Sequence, residues 1–145
     1  ISCSLVGSEM CIRDRFKGLH IVVKIPQGFD FPVDINVDYG DIDFETEYNS
    51  LLNVQMGTGD FEAISLGGKF DISTNIGDIS IKNAKPYENS SLKTDTGDIE
   101  VDNVLNTKII SEADTGNEDV NGSDDSSGVT LTVTTDTGDI EVNDN

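Results

Sequence analysis

The chain has 145 residues, enough for one domain with a continuous core if that core is linear. Its 28 acidic residues against 9 basic ones leave a net charge of −19, with one His, two Cys and no Trp. Such a charge repels phosphate backbones and anionic lipid, which argues against nucleic acid as a partner. No apolar run reaches the roughly eighteen residues that a membrane-crossing helix needs, so no membrane insertion is expected of the visible chain.

Residues 1–15, ISCSLVGSEMCIRDR, do not begin with Met and share no pattern with the rest of the chain. The end of the segment, SEMCIRDR, resembles the translation of a sequencing adapter. A signal peptide fits less well, because there is no basic n-region and Glu9 interrupts the apolar stretch. The segment is therefore expected to be a non-native leader, and the domain to span residues 16–145. Both cysteines, Cys3 and Cys11, belong to the leader, which leaves the body with no disulfide framework. The body also has no Arg and keeps the whole net charge of −19, since Arg13 and Arg15 offset Glu9 and Asp14.

Residues 16–32 read as an N-terminal cap of strand and turn ahead of coils over 33–145. Pro26 and Pro32 suit an edge position, because neither can donate a ladder hydrogen bond. Beyond this cap the chain repeats. Gly-Asp recurs at Gly40-Asp41, Gly59-Asp60, Gly77-Asp78, Gly97-Asp98 and Gly138-Asp139, with the variant Gly116-Asn117 before the last. The spacings of 19, 18, 20, 19 and 22 residues are the mark of a solenoid. Seven, five, three and one residues before each glycine, alternation predicts an inward face. Coil one has Val33, Ile35, Val37 and Tyr39; coil three has Phe70, Ile72, Thr74 and Ile76. After the glycine the inward set resumes with Ile42 and Phe44, Phe61 and Ala63, Ile79 and Ile81, Ile99 and Val101, and Ile140 and Val142. The step from Thr96 to Ile99 is three rather than two, the slip that a bulge or corner makes.

Each coil is thus a strand, a corner at Gly40, Gly59, Gly77, Gly97, Gly116 or Gly138, a second strand and a variable turn. The polar run Gly122–Gly128, GSDDSSG, accounts for the longest spacing as a loop insertion. One coil cannot bury its own apolar side, so the coils stack at about 4.8 Å into a rod about 25–30 Å long. The fold expected is all-β and single-domain: a parallel β-helix of about six coils of 18–22 residues, right-handed by the general preference of parallel crossovers. The fifth coil departs from the pattern, with Asn117 for Asp, Glu118 where Ile belongs and Ser111 at an inward position, and is expected to be loose. Asn145 closely follows the sixth corner with no capping element, which suggests truncation at that end as well.

Catalytic chemistry finds few parts. Asp-Thr-Gly at Asp95, Asp114 and Asp136 matches the core of an aspartic-protease motif, but each copy sits on its own rung at the coil period, which reads as a structural corner. His20 is the one imidazole, so neither a nucleophilic triad nor a zinc site can be assembled. No enzyme is expected, and no cofactor. The aspartates after the glycines form a row, and like charges ~5 Å apart in water repel by about 0.8 kcal/mol per pair. Backbone N–H groups bonding these carboxylates would offset that cost. The other offset is Ca²⁺ bridging Asp41, Asp60, Asp78, Asp98 and Asp139, although the GGxGxD nonapeptide of calcium-binding repeats is absent.

The repeated TGDIEV at Thr96–Val101 and Thr137–Val142, with NIGDISI at Asn75–Ile81, GTGDFEA at Gly57–Ala63 and the opening IVVKIPQGFDF, resembles a bacterial adhesin-type family of β-solenoid domains of unknown function. The resemblance covers about residues 19–145. It implies a parallel β-helix in a cell-envelope or extracellular setting, no catalytic residues, and a protein or glycan surface partner. Two functions are compatible with it: a surface binding module, or a structural or regulatory envelope rod that spaces or docks other components.

Overall fold

A computed structural model of the chain describes residues 4–6, 9–14 and 31–144, the first two stretches as backbone only. No helix occurs among the described residues. The strands are β1 (Ser4–Val6), β2 (Glu9–Asp14), β3 (Val33–Tyr39), β4 (Ile42–Phe44), β5 (Leu51–Thr58), β6 (Phe61–Ala63), β7 (Leu66–Ile76), β8 (Ile79–Ile81) and β9 (Ala84–Pro86). They continue with β10 (Ser90–Thr96), β11 (Ile99–Asp102), β12 (Lys108–Thr115), β13 (Glu118–Val120), β14 (Thr130–Thr137) and β15 (Ile140–Asn143). Most of the expected cap, residues 16–30 with His20 and Pro26, lies outside the described residues.

The architecture is the all-β parallel solenoid of about six coils that the repeat implies. The strands before the corners form one sheet and the strands after them a second, in register from rung to rung. A short third side is made where Tyr48 bridges Leu66 and Leu66 pairs with Ala84. Within the larger sheet β2 pairs in parallel with β3, Met10 opposite Val33.

The inward columns are continuous along the rod, and their residues explain why the coils stack. Five residues before the corner, Ile35, Val54, Ile72, Leu92 and Val133 are buried, as are Phe61, Ile79, Ile99 and Ile140 two residues after it. Phe44 fills the space left by Ala63 opposite it, its ring 5.8 Å from those of both Phe61 and Tyr48. Ser90 is the polar member of an otherwise apolar column. Its Oγ accepts from the Phe70 N–H at 3.1 Å and donates to the Glu88 carbonyl at 3.0 Å, so its burial leaves nothing unpaired.

Three expectations change. The inward face ends three residues before the corner, not one. Tyr39 and Ile76 are more than half exposed, and Thr58, Thr96, Thr115 and Thr137 share their outward column. The odd step that returns the chain to the core therefore runs from Thr94 to Ile99, and the whole corner lies within it.

The second change is the order of the rungs. The larger sheet runs β3-β5-β7-β10-β14-β12 and the smaller runs β13-β15-β11-β8-β6-β4. Coil six, β14 and β15, lies between coil four and coil five, so the C-terminal coil is interior and the fifth coil ends the described rod. Residues 121–129 are the return crossover over one rung rather than a simple loop insertion.

The third change is a consequence of the second. Coil five is regular, with β12 paired to β14 from Lys108↔Thr130 to Thr115↔Thr137 and β13 paired to β15. Ser111 and Glu118 occupy inward positions because no described rung covers them, and a polar inward side costs nothing at an open end.

Candidate functional site

The recurring chemistry of this chain is concentrated at the glycine corners. All six corner glycines have φ between 139° and 147°, a conformation that a side chain makes strained. Sterics add a second requirement in five of them. The carbonyl oxygen of each corner glycine points along the rod at the next corner. A Cβ on Gly59, Gly77, Gly97 or Gly138 would lie 2.0–2.1 Å from the glycine oxygen of the rung before it, and one on Gly116 would lie 1.9 Å from Gly138 O. Gly40 stands first in the column and has no such neighbour.

The aspartate after each glycine ties the corners together. Asp41 Oδ1 accepts the Asp60 N–H at 3.1 Å, and Asp60 Oδ1 accepts the Asp78 N–H at 2.9 Å. Asp78 takes the Asp98 N–H at 2.8 Å, and Asp98 takes the Asp139 N–H at 2.7 Å. Asp139 then accepts both the backbone and the side-chain N–H of Asn117, at 2.8 and 3.1 Å. Each carboxylate thus holds an N–H that faces away from the sheet ladders, and charge-assisted bonds of this kind offset the repulsion between like charges in the row. The row follows the spatial order of the rungs and not the chain order. Among the described residues Asn117 ends it, on a rung with no further corner N–H to hold and where a side-chain donor is of use.

The inward face supplies a matching device. Thr94 Oγ1 donates to Gly77 O at 3.0 Å and Thr135 Oγ1 to Gly97 O at 3.1 Å, with a longer contact of 3.4 Å from Thr74 Oγ1 to Gly59 O. These threonines are fully buried. They satisfy the corner carbonyls that the glycine turn leaves out of the sheet ladders. Alternation alone marks them only as β-branched ladder residues; their regular place three residues before the glycine is the signal that could have shown more.

The remaining acids line the outside of the same corner. Asp95, Asp136 and Asp114 follow one another on consecutive rungs, and so do Glu100, Glu141 and Asp119. The three Asp-Thr-Gly aspartates therefore share one outward column, with Asp95 paired to Lys93 at 3.4 Å. That arrangement brings no two of them across a cleft to share a proton. Among the described residues, no three His, Cys, Asp or Glu side chains converge as a metal centre would require. A half-open cavity of about 230 Å³ lies over β4 and β6, lined by Asp43, Glu62 and Lys82 among others.

At the open end Glu118 folds back over its own rung. Its Oε1 accepts the Ala113 N–H at 3.0 Å and its Oε2 accepts the Ser111 hydroxyl at 2.5 Å. The Ser111 hydroxyl first, and the Ala113 N–H second, hold the Glu118 carboxyl below its ordinary range. Ser123 Oγ takes the Ile109 N–H at 3.0 Å on the same strand. Asp124 is likewise lowered, by the Ser126 hydroxyl and N–H, which fold the crossover onto itself.

Against this geometry, a family model described as Toastrack DUF4097 matches residues 7–145. No curated protein and no solved structure matches the chain.

Proposed function

The chain belongs to the Toastrack DUF4097 family, and on that premise we propose that it is a non-catalytic acidic binding module of the bacterial cell surface or envelope. The observation that supports this most is the outer face of the larger sheet, a flat polar surface built on a rigid ladder. Asp34, Asn36, Asn53, Gln55, Asp71, Ser73, Ser91 and Lys93 stand outward in register on four successive rungs. Their rung spacing of about 4.8 Å is fixed by backbone hydrogen bonds, so a partner meets a pre-ordered array of donors and acceptors. The net charge of −19 favours a neutral or cationic partner, a protein or a glycan, over nucleic acid. Binding of labelled chain to intact cells and to arrayed glycans tests the proposal. Saturable binding lost in Asn36→Arg or Ser73→Arg variants that keep their fold is the expected outcome, and no saturable binding to any surface would refute it.

A structural rod that spaces or docks other envelope components is the second reading. The acid columns favour it in one respect, because Ca²⁺ bridging consecutive rungs would stiffen such a rod. In the corner row one oxygen of each of Asp41, Asp60, Asp78, Asp98 and Asp139 already holds an N–H. Bridging thus rests on the other oxygen and on the outer columns. A rise in Tm with millimolar Ca²⁺ beyond that given by Mg²⁺ at equal ionic strength would support bridging, and equal effects would exclude it.

A further inference from the structure

Coil six is an insert. It follows coil five in the chain yet lies between coils four and five, joined to coil five by the connection 121–129. Both of its neighbours hold it with the contacts that join every other pair of rungs. Gly97 N donates to Thr137 O and Gly138 N donates to Thr115 O, each at 2.9 Å. The aspartate row passes through it without a break, from Asp98 to Asp139 to Asn117. Its sequence from Thr135 to Val142, TDTGDIEV, differs from that of coil four at no position between Thr94 and Val101. The slot between coils four and five thus recognises a strand–corner–strand unit by the repeat contacts, by its buried apolar residues and by the bonds of Thr130 N–H to Asn89 and of Asn143 to Asp102, all of which the coil six of any copy makes equally.

We propose that this slot is an interaction site for a second copy of this chain, which donates its own coil six and accepts one in return. The exchanged dimer makes the same rung contacts as the closed monomer. The balance between the two is then set by the 121–129 connection and by protein concentration. That connection is short of apolar anchors: Gly122, Ser123, Asp125 and Ser126 are exposed. A hinge there swings out without exposing core of its own.

The test uses chains of residues 1–145 in which Cys3 and Cys11 are replaced by Ser, one carrying Ser91→Cys and the other Thr132→Cys. These outward positions face each other across the coil four to coil six boundary. The two chains are mixed, warmed together through unfolding, cooled at high concentration and oxidised. Exchange predicts a 91–132 disulfide between the two chains, elution as a dimer, and a dimer fraction that rises with concentration. It also predicts that a single chain carrying both cysteines, oxidised before warming, stays monomeric through the same cycle. Lys93→Cys with Thr134→Cys, the neighbouring in-register pair, repeats the measurement if the first pair perturbs folding. Absence of the mixed disulfide would overturn the proposal. So would its formation in the same amount as 91–91 and 132–132 pairs, or dimerisation of the locked chain.

Discussion

At Gly40 an added Cβ would meet nothing nearer than Val37 Cγ1 at 3.7 Å, whereas at Gly77 it would fall 2.0 Å from the Gly59 carbonyl oxygen. The two positions have almost the same φ, 139° and 143°, so a pair of alanine variants separates backbone strain from rung-to-rung contact. Gly40→Ala is expected to cost about 1–3 kcal/mol, the range of a strained backbone conformation. Gly77→Ala adds a clash with backbone that cannot yield without parting two rungs, and should exceed about 4 kcal/mol. Urea denaturation of the two variants measures both, and equal losses would show that conformation alone selects glycine. A second pair tests the carboxylate row. Asp98→Asn keeps an oxygen for the Asp139 N–H and removes one of three adjacent charges, so stability should hold or rise slightly. Asp98→Ala removes the acceptor and should lose about 1 kcal/mol. A large loss in Asp98→Asn would mean that the charge itself, and hence a bound cation, matters at this corner.

Among the elements, β12 and β13 show how a rung is fitted to its place. The larger sheet ends on β12, and its outward N–H groups at Ile109 and Ala113 are taken by Ser123 Oγ and Glu118 Oε1. Blocking an edge in this way hinders pairing with another chain. Replacement of Glu118 by the Ile found at this place in other coils should therefore not stabilise the rod. It exposes an apolar side chain and frees an edge N–H, and light scattering should report association that the parent chain lacks. The same carboxylate carries a pH dependence. Its folded pKa lies below the ordinary value of 4.5, so the unfolded chain binds the proton more readily. The bond thus contributes fully above that value, and its contribution fades as pH falls through the lower folded value. Denaturation midpoints of the parent and Glu118→Gln should diverge above about pH 4.5 and converge in more acid solution. A constant difference across that range would remove Glu118 from the account. The polar residues of coil five are visible in the sequence, but their meaning is not. Ser111 and Glu118 look like faults in a repeat until the rung is seen to end the described rod.

Over the whole molecule, charge of one sign is held at rung spacing. Among the described residues the ion pairs are two, Lys69 with Asp71 and Lys93 with Asp95, so most carboxylates are balanced only by solvent and by N–H donors. Sodium chloride should therefore raise Tm steeply at first and then level off as the Debye length drops below the rung spacing, toward ~3 Å near 1 M. A flat response would mean that the rows are already neutralised by bound cations. The net charge, the period near twenty, the corner glycines and the alternation of the core are all legible from the residues in order, because each is a local pattern repeated. The inward columns at Ile35, Val54, Ile72, Leu92 and Val133 follow from that pattern without any knowledge of neighbours. Local pattern does not say which rung lies beside which. Every coil offers the same backbone edge and the same Gly-Asp corner to either side, so the sequence specifies register and leaves stacking order open. Tertiary structure decides it. The rung with Ser111 and Glu118 facing inward stands where no described rung covers it, and coil six, with Leu131, Val133, Ile140 and Val142 all buried, fills the place between.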